Sequence, residues 1–113
     1  MQNFPKKSLG IFPTPLHYNR ELAEVLGLDE LLVKRDDLSG FGWGGNKVRT
    51  IEYLIGDALA LGADTLVMAS GASSNFAATM AHAAVGAGLS VEQVCHGSEP
   101  ERTPVGLLST RRL

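Results

Sequence analysis

In the stretch GWGGNKVRTIEYL, residues 42–54, a lysine stands where the surrounding pattern calls for an apolar side chain. Apolar residues recur at intervals of three and four through residues 46–62, which predicts an amphipathic helix there. At about 100° per residue, Ile51, Leu54, Ile55, Ala58 and Leu61 share one face, with Arg49, Glu52 and Gly56 opposite. Lys47 falls on the apolar face, one turn before Ile51. The ordinary fate of a first-turn lysine is to snorkel to solvent. Two features favour another outcome here: the position is central to the apolar face, and a helix N-terminus repels a cation. Both disfavour the ammonium form, which prepares the amine to act as a nucleophile or base.

A second group lies downstream. SGASSN, residues 70–75, ends an expected strand and opens an expected helix. Ser73 or Ser74 there reads as an N-cap, which alone accounts for a serine. The alternative is an anion site built from hydroxyls and free backbone N–H groups at a helix start after a parallel strand. A desolvated amine beside an anion cradle points to an amino-acid carboxylate and a carbonyl cofactor. Other motifs are weaker. GFGWGG, residues 40–45, matches G-x-G-x-x-G, but Asp64 falls at the start of the next strand and Ser70 at its end. A P-loop fails because Asn46 separates Gly45 from Lys47 and Val48 replaces the Ser or Thr. His17, His82 and His96 are scattered, Cys95 beside His96 lacks ligand spacing, and no metal is assigned.

The elements that must position these groups follow from the punctuation of the chain. Pro5, Pro13 and Pro15 make residues 1–17 an extended lead-in with turns. A short helix is expected near 19–27, closed by Gly27, and then a strand in ELLVKRDD. After the glycine-rich loop and the helix over 46–62, residues 64–70 form a short buried strand. FAATMAHAAVGAG is a helix of small residues, and LSVEQVCH a second strand, so this part is one βαβ unit. Ala77, Ala81 and Ala84 line one side of that helix for close packing, and LLSTRRL opens a further helix. Two such strands plus one distant strand make a smaller sheet than usual, and parallel strands need both faces covered. The sequence is therefore expected to be the N-terminal piece of a larger α/β protein.

Composition narrows the classes. The 113 residues allow one small domain, with 44% hydrophobic and 19% charged residues, an ordinary globular composition. A formal charge of −2 gives no reason to expect nucleic acid or an anionic membrane as partner. A single cysteine rules out an internal disulfide and fits a reducing compartment, so a cytoplasmic location is expected. No segment approaches the roughly 20 apolar residues of a membrane span.

With those readings in place, the order of several motifs resembles a known family. TPL at 14–16, LLVKRDDLSG at 31–40, GGNKVR at 44–49 and SSN at 73–75 occur as in pyridoxal-phosphate enzymes of the tryptophan synthase β type. The D-cysteine desulfhydrase and 1-aminocyclopropane-1-carboxylate deaminase branch is the most similar. KRDDLSG followed by GGNK is the specific combination, and Gly97, Pro100, Gly106, Leu107 and Leu108 track the family's next segment.

The resemblance implies the N-terminal part of a three-layer αβα parallel-sheet fold, fold type II. Residues 1–50 would belong to the large cofactor domain and 51–113 to the first βαβ part of the small domain. It implies that Lys47 points inward because it carries pyridoxal phosphate on its amine and later serves as a base. Asn46 and Asn75 would bind the cofactor, Asn75 at the ring hydroxyl, while Ser74 and its helix N-terminus hold the substrate carboxylate. The implied reaction releases ammonia and a 2-oxo acid from a small amino acid, in a homo-oligomer when the protein is complete.

Three positions depart from the family pattern: Ser73 and Phe76 flank the Ser-Asn pair in place of Gln and His, and Thr50 replaces a basic residue. Family chains are more than twice this long, so the phosphate loop and the group facing the pyridine nitrogen are expected beyond Leu113. By itself the chain is then expected to be inactive. The competing readings are a non-catalytic truncated chain that folds or associates only with a partner, and a nucleotide-binding module using GFGWGG.

Overall fold

The structure is a computed structural model and describes residues 4–97. The expected helix from LLSTRRL lies outside the described residues.

Strand β1, Leu16–Tyr18, pairs antiparallel with β2, Leu32–Lys34, in a register that sets Leu16 opposite Lys34. Between them runs α1, Arg20–Leu26, where the Asn19 side chain accepts from the Leu22 N–H and Gly27 closes the helix at φ 66°. The helix matches expectation. The end of the expected extended lead-in, residues 1–17, enters strand β1, which was not foreseen. Proline removes a donor but leaves an acceptor, and the Pro15 carbonyl takes the Arg35 N–H at 2.9 Å to extend the ladder.

A 3-10 turn, Asp36–Leu38, leads through the glycine-rich loop into α2, Lys47–Ala60. Strand β3, Thr65–Gly71, helix α3, Asn75–Gly86, and strand β4, Ser90–His96, follow as the expected βαβ unit. β3 and β4 pair in parallel, Thr65 beside Ser90 through Gly71 beside His96. The chain is thus an α/β structure with a parallel pair. The hairpin strands and the parallel strands make two separate two-stranded sheets, which corrects the expectation of one sheet with a distant third strand.

The core joins Ile51 and Ile55 of α2 to Met80, Ala83 and Ala84 of α3 and to Leu89, with Leu66, Met68 and Val91 packed on it from the strands. Ala77, Ala81 and Ala84 are all buried, as their size suggested, and small side chains let α3 approach both α2 and the strands. Strand alternation leaves Val67 66% and Val94 61% exposed on the opposite face of β3–β4.

The faces of α2 differ from expectation. Its buried residues are Val48, Ile51, Glu52, Ile55 and Gly56, while Lys47, Leu54 and Leu61 are exposed. The cause is the lead-in, which packs along the side assigned to solvent. The Glu52 carboxylate accepts the N–H groups of Leu9 at 2.8 Å and Gly10 at 3.1 Å, and its carbonyl accepts that of Lys7 at 2.9 Å. One turn on, a Cβ at Gly56 would stand 2.6 Å from the backbone of Lys6. Helix α2 is held between lead-in and α3, so its buried stripe is turned partly away from the face that Lys47 shares. No helix among the described residues is long and apolar enough to cross a membrane.

Candidate active site

The glycine-rich loop is not loose. The Gly44 N–H donates to the Phe41 carbonyl at 2.9 Å and the Gly45 N–H to the Asp36 carbonyl at 2.8 Å. Gly44 has φ 73°, and a Cβ there would meet the Asp37 carbonyl oxygen at 2.4 Å, so both conformation and space demand glycine. A Cβ on Gly42 would lie 3.2 Å from the Thr79 methyl, which places the loop against α3 one turn past its start. The Thr79 hydroxyl donates back to the Asn75 carbonyl at 2.8 Å. Loop, α2 start and α3 start are therefore neighbours.

Under the loop sits an ionic cluster. Arg49 donates from Nε to Asp36 Oδ2 at 2.9 Å and from Nη2 to Asp36 Oδ1 at 2.7 Å. The Thr14 hydroxyl donates to Asp36 Oδ1 at 2.6 Å and accepts from Arg49 Nη2 at 3.0 Å. The ammonium of Lys34 donates to the Thr14 carbonyl, and the Arg49 guanidinium lies 4.4 Å from the centre of the Phe12 ring. The Arg49 guanidinium, and after it the Thr14 hydroxyl, hold the Asp36 carboxyl well below the usual carboxylate range. Three motifs distant in sequence, TPL, KRDD and GGNKVR, meet here.

Lys47 is the first residue of α2 and is exposed, which corrects the inward-pointing, desolvated amine read from periodicity. Of the apolar face on which it was placed, Ile51 and Ile55 are buried, while Lys47, Leu54 and Leu61 are not. Asn46 precedes it in helical conformation, makes no side-chain cap, and is exposed. Of the two candidate caps, Ser74 is the one used: its hydroxyl accepts the Ala77 N–H at 3.2 Å. Asn75 is exposed as the first residue of α3, and the N–H groups of Asn75 and Phe76 have no acceptor among the described residues. Among the described residues no group of His, Cys, Asp and Glu could hold a metal ion. A groove of about 620 Å³ lined by Phe4, Pro5, Arg49, Thr50, Tyr53, Leu54 and Asp57 includes none of Asn46, Lys47, Ser74 and Asn75.

The donor set fits a carbonyl cofactor and an amino-acid carboxylate in kind. It offers an accessible primary amine on Lys47, an accessible amide side chain on Asn75 and two free N–H groups beside a serine hydroxyl. Sequence reasoning missed Thr14, Asp36 and Arg49 as a unit and assigned Arg49 to solvent. Ion pairs between residues far apart in sequence leave no periodic trace, and the one available signal was the adjacency of two aspartates to KR in KRDD.

The family model for pyridoxal-phosphate dependent enzymes matches residues 7–108. A 1-aminocyclopropane-1-carboxylate deaminase of Burkholderia vietnamiensis is 41% identical over 119 residues, covering 100% of this chain and 35% of its own length. A D-cysteine desulfhydrase of Salmonella paratyphi B is 43% identical over 89 residues, covering 79% of this chain and 27% of its own. The crystal structure of an ACC deaminase homologue superposes with a TM-score of 0.86 at 37% identity, covering 96% of this chain and 33% of that one. The chain spans about a third of the length of the relatives it matches.

Proposed function

We propose, from the premise that the chain belongs to the family of pyridoxal-phosphate dependent enzymes, that Lys47 is the residue through which the family's cofactor is held. The reaction proposed is deamination of a small amino acid by lyase-type chemistry, with release of ammonia and a 2-oxo acid. The names of the relatives supply two candidate substrates. 1-Aminocyclopropane-1-carboxylate and water balance to 2-oxobutyrate and ammonia, and D-cysteine and water to pyruvate, hydrogen sulfide and ammonia.

The observation that carries this reading is the wedging of the glycine-rich loop, which leads directly into the exposed Lys47, between Asp37 and Thr79 of α3. When bound, pyridoxal phosphate supplies an electron sink for charge developing at the substrate α-carbon. The chain's own groups do the rest of what is proposed. Lys47 Nζ takes or returns a proton at carbon. The Ser74 hydroxyl and the free N–H groups of Asn75 and Phe76 orient the substrate carboxylate. The side chains of Asn75 and Asn46 bind the cofactor. The same reading makes the complete protein a cytoplasmic homo-oligomer and divides it near residue 50, with 1–50 in the cofactor domain.

The exposed Val67 and Val94 on the open face of β3–β4 favour a second element of the proposal. The 113-residue chain alone has little turnover and gains it when the remainder of the fold covers that face. The test is 2-oxo acid release from each substrate with saturating cofactor. The chain alone should not exceed free pyridoxal phosphate. Exchanged for the matching segment of the Burkholderia vietnamiensis deaminase, it should restore release that Lys47→Ala abolishes. Turnover by the isolated chain that Lys47→Ala removes would refute the need for a partner segment, and release insensitive to Lys47 would refute the function.

A further inference from the structure

Asp36 grips the segment that carries Lys47 at both ends. Its backbone carbonyl accepts the Gly45 N–H at 2.8 Å, two residues before the lysine. Its carboxylate takes Nε and Nη2 of Arg49, two residues after the lysine, at 2.9 and 2.7 Å. A bidentate guanidinium–carboxylate pair fixes rotation as well as distance, which one hydrogen bond cannot do. The pair is itself held. Thr14 bridges both partners, and Phe12 stacks beneath the guanidinium. Asp36 is mostly withdrawn from water, with 17% of its side chain exposed, against 58% for Asp37 in the neighbouring Arg35–Asp37 pair. Only the first of these aspartates joins two elements, because Arg35 and Asp37 belong to the same turn.

We propose that Asp36 is a positioning residue for Lys47, acting through Gly45 and Arg49 to hold the first turn of α2 in one orientation. The proposal rests on the reading of Lys47 as the residue that holds the cofactor. Asp36 touches Arg49, Thr14 and Gly45, so its influence on the amine runs through the chain between its two grips. Arg49→Lys would keep the charge and lose the fork, so this substitution isolates geometry from electrostatics.

The test compares the chain with its Asp36→Asn, Arg49→Lys and Thr14→Val variants, with Arg35→Gln as the control for loss of a neighbouring ion pair. Two quantities are read. One is amide hydrogen exchange of the peptide 43–50, without cofactor, against that of 76–86. The other is the ratio of Lys47 to Lys7 labelled by pyridoxal phosphate after borohydride reduction, located by peptide mass. Asp36→Asn and Arg49→Lys should each speed exchange of 43–50 at least tenfold and cut the labelling ratio at least fivefold, with 76–86 unchanged. Arg35→Gln should change neither. Folded variants that match wild type in both quantities overturn the proposal. Should Asp36→Asn unfold, Thr14→Val decides: it keeps the ion pair and should give about a threefold increase in exchange of 43–50, and no increase overturns the proposal. A wild-type chain that does not favour Lys47 over Lys7 removes the functional reading, while the exchange measurement still decides whether Asp36 orders this turn.

Discussion

The carboxylate of Glu52, only 2% exposed, lies 2.8 Å from the ammonium of Lys6, which is itself 39% exposed. The same carboxylate collects the N–H groups of Leu9 and Gly10, so one buried side chain fastens the lead-in to α2. The two partners should respond unequally to removal. Glu52→Ala strands two backbone donors, at about 1–3 kcal/mol for each buried donor left unmade. Lys6→Ala removes a half-solvated partner, whose charge water already screens, and should cost much less. Urea denaturation of both variants checks this, and equal losses would mean that the backbone contacts contribute nothing.

Acid should weaken this fold in a defined window. Burial pushes the Glu52 carboxyl up, but the Leu9 N–H, the Lys6 ammonium and the Gly10 N–H outweigh it and leave the group below its ordinary 4.5. Asp36 is held lower still from its ordinary 3.8 by Arg49 and then Thr14. Carboxyls depressed in the folded state give stability that is present above the unfolded values and is lost as pH falls through the folded ones. The urea midpoint should therefore hold steady from neutrality to about pH 5 and fall progressively below it. At the other end, Glu52 raises Lys6 above 10.5, a contribution present below that value and lost as pH rises through the folded one. A midpoint at pH 3 equal to that at pH 7 would contradict the assignment of both carboxylates.

Gly56 inverts the usual helix rule. Alanine in a helix interior is ordinarily better than glycine by about 1 kcal/mol. Here an added Cβ would meet the Lys6 backbone at 2.6 Å and the Pro5 carbonyl carbon at 2.7 Å, and backbone cannot swing aside as a side chain can. Gly56→Ala should destabilise by about 1–3 kcal/mol through overpacking. Gly86→Ala near the end of α3, where a Cβ meets nothing within 4 Å, should not. Thermal melts of the two variants separate the cases, and a stabilised Gly56→Ala would show that the lead-in does not pack there.

These contacts mark what the sequence could and could not reveal. Short-range signals held: Asn19 and Gly27 bound α1, Ser74 starts α3, and the apolar runs became the parallel pair β3–β4. Long-range ones did not. Nothing in the period of α2 says that residues 5–10 will lie on its polar side, so Glu52 and Gly56 were read as solvent-facing and Lys47 as inward. The convergence of Thr14, Asp36 and Arg49 was likewise invisible, because each is an ordinary polar residue until the loop folds beneath α2. The motif order gave the family. The physical reason for the motifs lies in the contacts they make once folded.

The Lys47 amine, on the first residue of the helix that the glycine-rich loop opens, is proposed as the place where pyridoxal phosphate is held. This claim is tested most directly by adding the cofactor, reducing with borohydride and locating the pyridoxyl mass by peptide mapping in wild type, Lys47→Ala and Lys34→Ala. Wild type and Lys34→Ala should carry one dominant adduct on the peptide containing residue 47, and Lys47→Ala should carry none above the level of the other lysines. An adduct of undiminished yield in Lys47→Ala would contradict the claim.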